Sequence, residues 1–234
     1  MRVISDLHNC GFEIVLVSSG AVGVGVSKLG LLARPADIRM KQAAAAVGQC
    51  ELMHIYDKMF LEYGVTVAQV LLTRHNIAKA EHYANVEGSF EALLRMGVVP
   101  IVNENDVVST EELDEIESFG DNDTLSAVVA RIVKADALVI LTDIDGLHAE
   151  NPKQNPDAPL IHVVEEVTED TRRIAGGAGS SRGTGGMYTK IIAAGQATRE
   201  GITTAIIDGS TPENLYRLLE GEEIGTVFPA RGGC

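Results

Sequence analysis

Short apolar runs separated by polar or glycine-rich breaks recur along the chain. Residues 14–17, 65–72, 98–102, 138–141 and 204–207 are apolar almost throughout, which predicts five strands buried on both faces. Segments of helical character alternate with them. Residues 1–12 are helix-like, and residues 40–63 are rich in Ala, Leu and Met, with Gly48 as the weak point of that helix. Residues 90–96 end a helix stopped by Gly97, and residues 124–133 form another. The fifth strand leads through a turn to a helix with Thr211 as cap and Pro212 at its first position. Such alternation predicts an α/β fold with a mostly parallel sheet flanked by helices.

Polar clusters follow these apolar runs. Ser18-Ser19-Gly20, Asn103-Glu104-Asn105-Asp106 and Thr142-Asp143 each stand where a predicted strand ends. In open α/β sheets that edge binds ligands. Two further stretches carry the most chemistry. Gly120-Asp121-Asn122-Asp123 is a carboxylate–amide cluster opening an apolar helix. Ser180-Ser181-Arg182-Gly183-Thr184-Gly185-Gly186 is a glycine loop that runs into Met187-Tyr188-Thr189-Lys190 at another helix start. Anions settle at helix N-termini, and a lysine with carboxylates there suits phosphoryl transfer. Each motif also has a plain structural reading: Asp121 and Asp123 as helix caps, Ser18-Ser19-Gly20 as a turn, the glycine loop as a connector. That loop has neither the P-loop spacing nor a dinucleotide fingerprint. Residues 111–119 are acidic and read as a hairpin or a lid; residues 151–158, with Pro152 and Pro156, read as a loop.

Composition narrows the partners. The 234 residues are 45% hydrophobic and 22% charged, enough for one domain over residues 1–234 with a substantial core. A net charge of −14, with 4% aromatics and no Trp, argues against a nucleic-acid surface, which needs clustered Lys and Arg or stacking platforms. No apolar run approaches the roughly 18 residues of a membrane span. The first residues lack the basic-then-apolar pattern of a secretory signal. Cys10, Cys50 and Cys234 are odd in number and far apart, and the six histidines have no ligand spacing. The expectation is a cytoplasmic protein without a protein-ligated metal.

Taken in order, several blocks are specific. They are Val17-Ser18-Ser19-Gly20-Ala21, Lys41-Gln42-Ala43-Ala44-Ala45-Ala46-Val47-Gly48-Gln49, Val70-Leu71-Leu72-Thr73-Arg74, Pro100-Ile101-Val102-Asn103-Glu104-Asn105-Asp106, Gly120-Asp121-Asn122-Asp123, Leu141-Thr142-Asp143, and Gly183-Thr184-Gly185-Gly186-Met187 through Lys190. Through them the chain resembles the glutamate 5-kinase branch of the amino acid kinase family along nearly its whole length. The resemblance implies a three-layer αβα sandwich and ATP-dependent phosphorylation of the γ-carboxylate of L-glutamate, the first step of proline synthesis. It matches Ser19, Asp106 and Asn122, with Asn103 nearby, to the glutamate site. Thr142, Asp143, Thr184, Gly185, Gly186, Met187, Tyr188, Thr189 and Lys190 match the nucleotide site. Lys190 would neutralise the transferring phosphoryl group and Asp123 would organise the catalytic lysines. Magnesium would bridge the ATP phosphates with few protein ligands, so no metal-ligating residue is assigned.

Two departures from the family pattern accompany these matches. The family opens with a strand bearing a Lys-x-Gly-[Thr/Ser] loop, whereas Met1 falls inside what resembles the helix after it. The expected domain is therefore N-terminally incomplete, and an additional C-terminal domain carried by many members is expected to be absent. A dimer or tetramer, and proline as feedback inhibitor, belong to the same set of implications. Two alternatives stay open at this level. One is a sister kinase for aspartate, N-acetylglutamate, carbamate or a nucleoside monophosphate; the other is a non-catalytic ligand-binding remnant.

Overall fold

Residues 99–103 are buried in succession, as a strand covered on both faces must be. They are the middle of β3 (Val98–Glu104), the central strand of a parallel three-stranded sheet. Its neighbours are β1 (Leu16–Val17) and β2 (Thr66–Leu72), in the order β1-β3-β2. Leu16 stands opposite Ile101, and Thr66 opposite Val98. β3 runs two residues beyond its apolar stretch because β2 continues beside it, pairing Leu71 with Asn103 and Leu72 with Glu104. Half of the polar cluster read as following the strand is therefore inside it.

The computed structural model describes residues 1–108, 121–152, 155–176 and 186–231. The chain divides into two compact units, Met1–Asn122 and Asp123–Cys234. In the first, α1 (Arg2–Asn9) and α3 (Ile38–Leu61) pack on the sheet. Phe60 and the start of the chain, Met1 and Ile4, close over Val99 and Ile101. α3 is started by Asp37, whose carboxylate accepts a hydrogen bond from the Met40 amide at 2.9 Å.

Gly48 does not break α3. It lies where α2 (Ala21–Lys28) crosses, and a Cβ there would come within 1.8 Å of the Ala21 carbonyl oxygen. Gly25 of α2 is its counterpart, its Cβ position 1.8 Å from the Ala44 carbonyl oxygen. Glycine serves here for close backbone approach, not for a turn. α4 (Arg74–Ala78) follows β2, and α5 (Ala80–Arg95) leads to Gly97, which adopts φ +68° and ends the helix as predicted.

The second unit contains α6 (Asn122–Ile132) from its second residue on, β4 (Ala137–Thr142), α7 (Glu169–Ile174), α8 (Met187–Arg199), β5 (Thr203–Asp208), α9 (Asn214–Leu219) and β6 (Thr226–Phe228). Its sheet has the order β4-β5-β6. β4 and β5 are parallel, with Ala137 opposite Thr203. β6 is antiparallel to β5, with Thr226 opposite Ile206. Ile191, Ala193, Ala194 and Ala197 of α8 are fully buried against Ile140, Ile206 and Phe228, with Ala127 and Ala130 of α6 in the same core. The small side chains let α8 lie close on the sheet.

Three sequence expectations are refined by these elements. All five predicted strands form, but among the described residues they fall into two three-stranded sheets, each unit building its own. β6 has only three residues, too few to carry a readable period. The predicted cap of α9 shifts: Glu213 holds the cap position, and the Thr211 and Pro212 carbonyls accept from the Asn214 and Leu215 amides at 3.0 Å. These tight i→i+3 bonds place the proline in a lead-in turn instead of the first helical position. Among the described residues no helix is long and apolar enough to cross a membrane.

Candidate active site

In the first unit the carboxyl ends of β1 and β3 lie side by side, since Val17 pairs with Val102. Ser18 extends the ladder, its amide donating to the Val102 carbonyl at 2.7 Å. Gly20 then turns the chain at φ +91° to start α2, a conformation open to glycine with little strain. That turn leaves Ser19 exposed at the sheet edge while Ser18 is buried, its hydroxyl 2.8 Å from the Tyr56 hydroxyl of α3.

Asn103 is only 3% exposed. Its Oδ1 accepts from the Glu104 amide at 3.0 Å, and its Nδ2 donates to Gln49 Oε1 of α3 at 2.9 Å. Asp106 opens a short 3₁₀ turn (Asp106–Val108) and is half-buried. Burial pushes its carboxyl pKa upward, while the positive charges of Lys41 and Arg34 pull the other way. Asn122 is the first residue of α6 and half-buried. Ser19, Asn103 and Asp106 thus share the β1–β3 edge of one sheet, and Asn122 lies at a helix start.

In the second unit Asp123 and Lys190 meet across 67 residues of sequence. Lys190 Nζ lies 3.1 Å from Asp123 Oδ2 and 3.3 Å from Oδ1, with side-chain exposures of 10% and 14%. The Thr189 hydroxyl is 2.6 Å from Asp123 Oδ2 and 2.8 Å from the Gly186 carbonyl oxygen, both acceptors for its one proton. The arrangement follows from helix geometry: Gly186 caps α8, so Thr189 and Lys190 fall on its first turns. A buried ammonium needs such a carboxylate partner, because an unpaired buried charge costs several kcal/mol. Met187 and Tyr188 occupy the first two helical positions of α8.

Thr142 ends β4, with its hydroxyl donating to Asp143 Oδ1 at 3.2 Å. Beside it ends β5, where Asp208 pairs with Thr142 in the ladder. The Asp208 carboxylate accepts from both the amide and the hydroxyl of Ser210, which hold its pKa below the ordinary carboxylate value. This neighbouring edge was not singled out from sequence, because Asp208-Gly209-Ser210 reads as an ordinary turn. Thr184, Gly185 and Gly120, together with the acidic stretch 111–119, lie outside the described residues.

The loop after β4 carries a titratable latch. Gly146 at φ +153° sits against Thr226, whose hydroxyl accepts from the Leu147 amide at 2.8 Å. His148 then places Nε2 2.7 Å from Asp145 Oδ1 and Nδ1 2.7 Å from the Ala158 carbonyl oxygen. Both partners are acceptors, so only the doubly protonated ring donates to both. The hydrogen bond to Asp145 raises the His148 pKa, with the Ala158 carbonyl adding and burial opposing. A value raised on folding stabilises the fold fully below the unfolded value of about 6.5. That contribution is lost as pH climbs through the native-state value. The stability margin of the wild type over His148→Gln in urea titrations is therefore expected to be largest near pH 6 and to shrink toward alkaline pH, and a margin that grows with pH would contradict the latch.

Within the second unit, a buried lysine held by a carboxylate at a helix start suits phosphoryl transfer. The pattern of the amino acid kinase family matches residues 1–208, and the chain belongs to that family. It is 54% identical over 232 residues to a glutamate 5-kinase of Clostridium perfringens, covering 99% of this chain and 86% of that relative. It is 50% identical over 230 residues to a glutamate 5-kinase of Enterococcus faecalis, covering 98% and 84% respectively. Among solved structures, the isopentenyl phosphate kinase of T. acidophilum in its product complex aligns at a TM-score of 0.63 with 19% identity, covering 97% of this chain and 88% of that one. The uridylate kinase of Archaeoglobus fulgidus aligns at 0.59 with 17% identity, covering 97% and 89%. The last two are similar in fold.

Proposed function

We propose that the chain transfers the γ-phosphoryl group of ATP to the γ-carboxylate of L-glutamate, giving glutamyl 5-phosphate and ADP, the first step of proline biosynthesis. The observation that carries this reading is the 54% identity to a glutamate 5-kinase over nearly the whole chain. The buried Lys190–Asp123 pair at the start of α8 supports it with chemistry. The attacking carboxylate is already a nucleophile, so the protein has no proton to remove. Rate comes from alignment and from positive charge where negative charge develops. Lys190 supplies that charge, and Asp123 holds the ammonium in place. Thr142, Asp143 and residues 184–190 take the nucleotide.

Magnesium belongs to the co-substrate as MgATP, where it neutralises charge on the phosphate oxygens. The exposed Asp143 carboxylate at the end of β4 has the hard oxygen chemistry that suits it. Ser19, Asn103, Asp106 and Asn122 take glutamate. Asp106 fits the α-ammonium group: burial disfavours its charged form, and an arriving cation restores what solvent no longer supplies. The reading extends to one amino acid kinase domain in the cytoplasm, assembled as a dimer or tetramer, with proline as feedback inhibitor.

A coupled ADP assay on the full-length protein with glutamate, aspartate, N-acetylglutamate, carbamate and UMP tests the assignment. Glutamate alone is expected to support turnover, and a clear preference for another acceptor would replace it. In the same assay Asp106→Asn should raise the glutamate KM at least tenfold while the ATP KM stays within about twofold, the loss of one charge-assisted contact. Parallel losses for both ligands would remove Asp106 from the glutamate site.

A further inference from the structure

We infer that α3 is the positioning element of the acceptor site, acting through Gln49 on Asn103 and through Tyr56 on Ser18. The inference rests on the reading of this edge as the glutamate site. Gln49, Met53, Tyr56 and Phe60 are spaced four, three and four residues apart, which places them along one face of the helix. The lower part of that face is apolar: Met53, Tyr56 and Phe60 pack with Val99 and Ile101 of β3. Its two polar groups meet the polar strand ends. Gln49 Oε1 accepts from Asn103 Nδ2 at 2.9 Å, and the Tyr56 hydroxyl lies 2.8 Å from Ser18 Oγ.

The chemistry of Asn103 makes Gln49 matter. The Glu104 amide donates to Asn103 Oδ1, so the amide group has one orientation, with Nδ2 toward Gln49. Without an acceptor at Gln49, a side chain 3% exposed would leave a donor unsatisfied or would rotate, losing the bond to Glu104. The first weakens the hold on the functional amide at the sheet edge, and the second turns it away. Tyr56 acts in the same way one strand over. Ser18 precedes Ser19 and Gly20, so its anchored hydroxyl fixes where the exposed Ser19 is presented. Both helix residues act on ligand through another side chain, and both are positioning residues.

The experiment is steady-state kinetics on the full-length protein, combined with a double-mutant cycle. Gln49→Met keeps size and apolar stem but removes the acceptor. It should lower kcat/KM for glutamate roughly tenfold, the scale of one buried hydrogen bond, with the ATP KM within about twofold. In an Asn103→Ala background the same change should have no further effect, because Gln49 has lost what it positions. Tyr56→Phe should lower kcat/KM for glutamate severalfold, again with ATP unaffected.

The outcomes separate the inference from the reading beneath it. Wild-type protein that does not turn over glutamate, or an Asn103→Ala variant with unchanged glutamate kinetics, overturns the site reading and the inference with it. An impaired Asn103→Ala variant beside a Gln49→Met variant of wild-type kinetics overturns the inference alone. Additive losses in the double mutant, or equal losses for both substrates, would also overturn it, showing that Gln49 serves general stability.

Discussion

Lys190→Ala is expected to lower kcat by on the order of 10²-fold or more while the glutamate KM changes little. A positive charge aimed at a transferring phosphoryl group does most of its work as negative charge builds in the transition state, so its loss appears in kcat. The side chain is 10% exposed and held by both oxygens of Asp123, so its ammonium is fixed in place before the reaction. Its removal also leaves the Asp123 carboxylate without its lysine at 14% exposure, which costs about 3–5 kcal/mol for a broken buried pair. The two effects separate by measurement: thermal unfolding reports the pair, and kcat at a temperature where the variant is folded reports the chemistry. A folded variant with wild-type kcat would remove Lys190 from the mechanism.

Gly48→Ala is expected to destabilise the protein by roughly 3 kcal/mol or more, through a mechanism confined to the crossing of α2 and α3. In an open helix the same change stabilises by up to about 1 kcal/mol, because alanine is the better helix former. Here the new Cβ would stand 1.8 Å from the Ala21 carbonyl oxygen and 2.5 Å from the Gly25 amide nitrogen. Both are backbone atoms and cannot rotate away, so the helices must part. The expected fall in Tm is roughly 6–12 °C for a chain of this size. Gly88 on α5 provides the control, since a Cβ there meets nothing within 4 Å. Gly88→Ala should leave Tm unchanged or raised, and a Gly48→Ala variant as stable as Gly88→Ala would rule out the close crossing.

Much of this architecture is legible in the order of residues. The five apolar runs are strands, and Gly97 ends a helix at φ +68°. The polar clusters at Ser18-Ser19, Asn103 to Asp106 and Thr142-Asp143 stand at strand ends, with Asn103 and Glu104 drawn into β3 by its partner. These features are local. A continuous apolar run has one reading in an α/β chain, and a glycine after a helix has one common use. The motif chemistry is local too: a lysine at the end of a glycine loop lies in the first turns of the helix that follows, whatever that helix packs on.

Partnership is a different matter, because periodicity states which face is buried and not against what. No spacing rule links Asp123 to Lys190; the family resemblance alone implied that they work together, and the fold of the second unit brings them to 3.1 Å. Gln49 and Asn103 are 54 residues apart and meet because α3 lies over β3, so a glutamine inside an alanine-rich helix becomes part of a strand-end network. Gly48 reads locally as a helix breaker, and packing against Ala21 turns it into a requirement. The strand order β1-β3-β2, the antiparallel β6 and the His148 latch between Asp145 and Ala158 were likewise decided by tertiary packing. The sequence by itself determined the elements, the ends at which chemistry gathers and the residue types available there. Only the tertiary structure decided which side chains meet, because burial of hydrophobic faces is non-directional, whereas hydrogen bonds and backbone contacts are set by the geometry it produces.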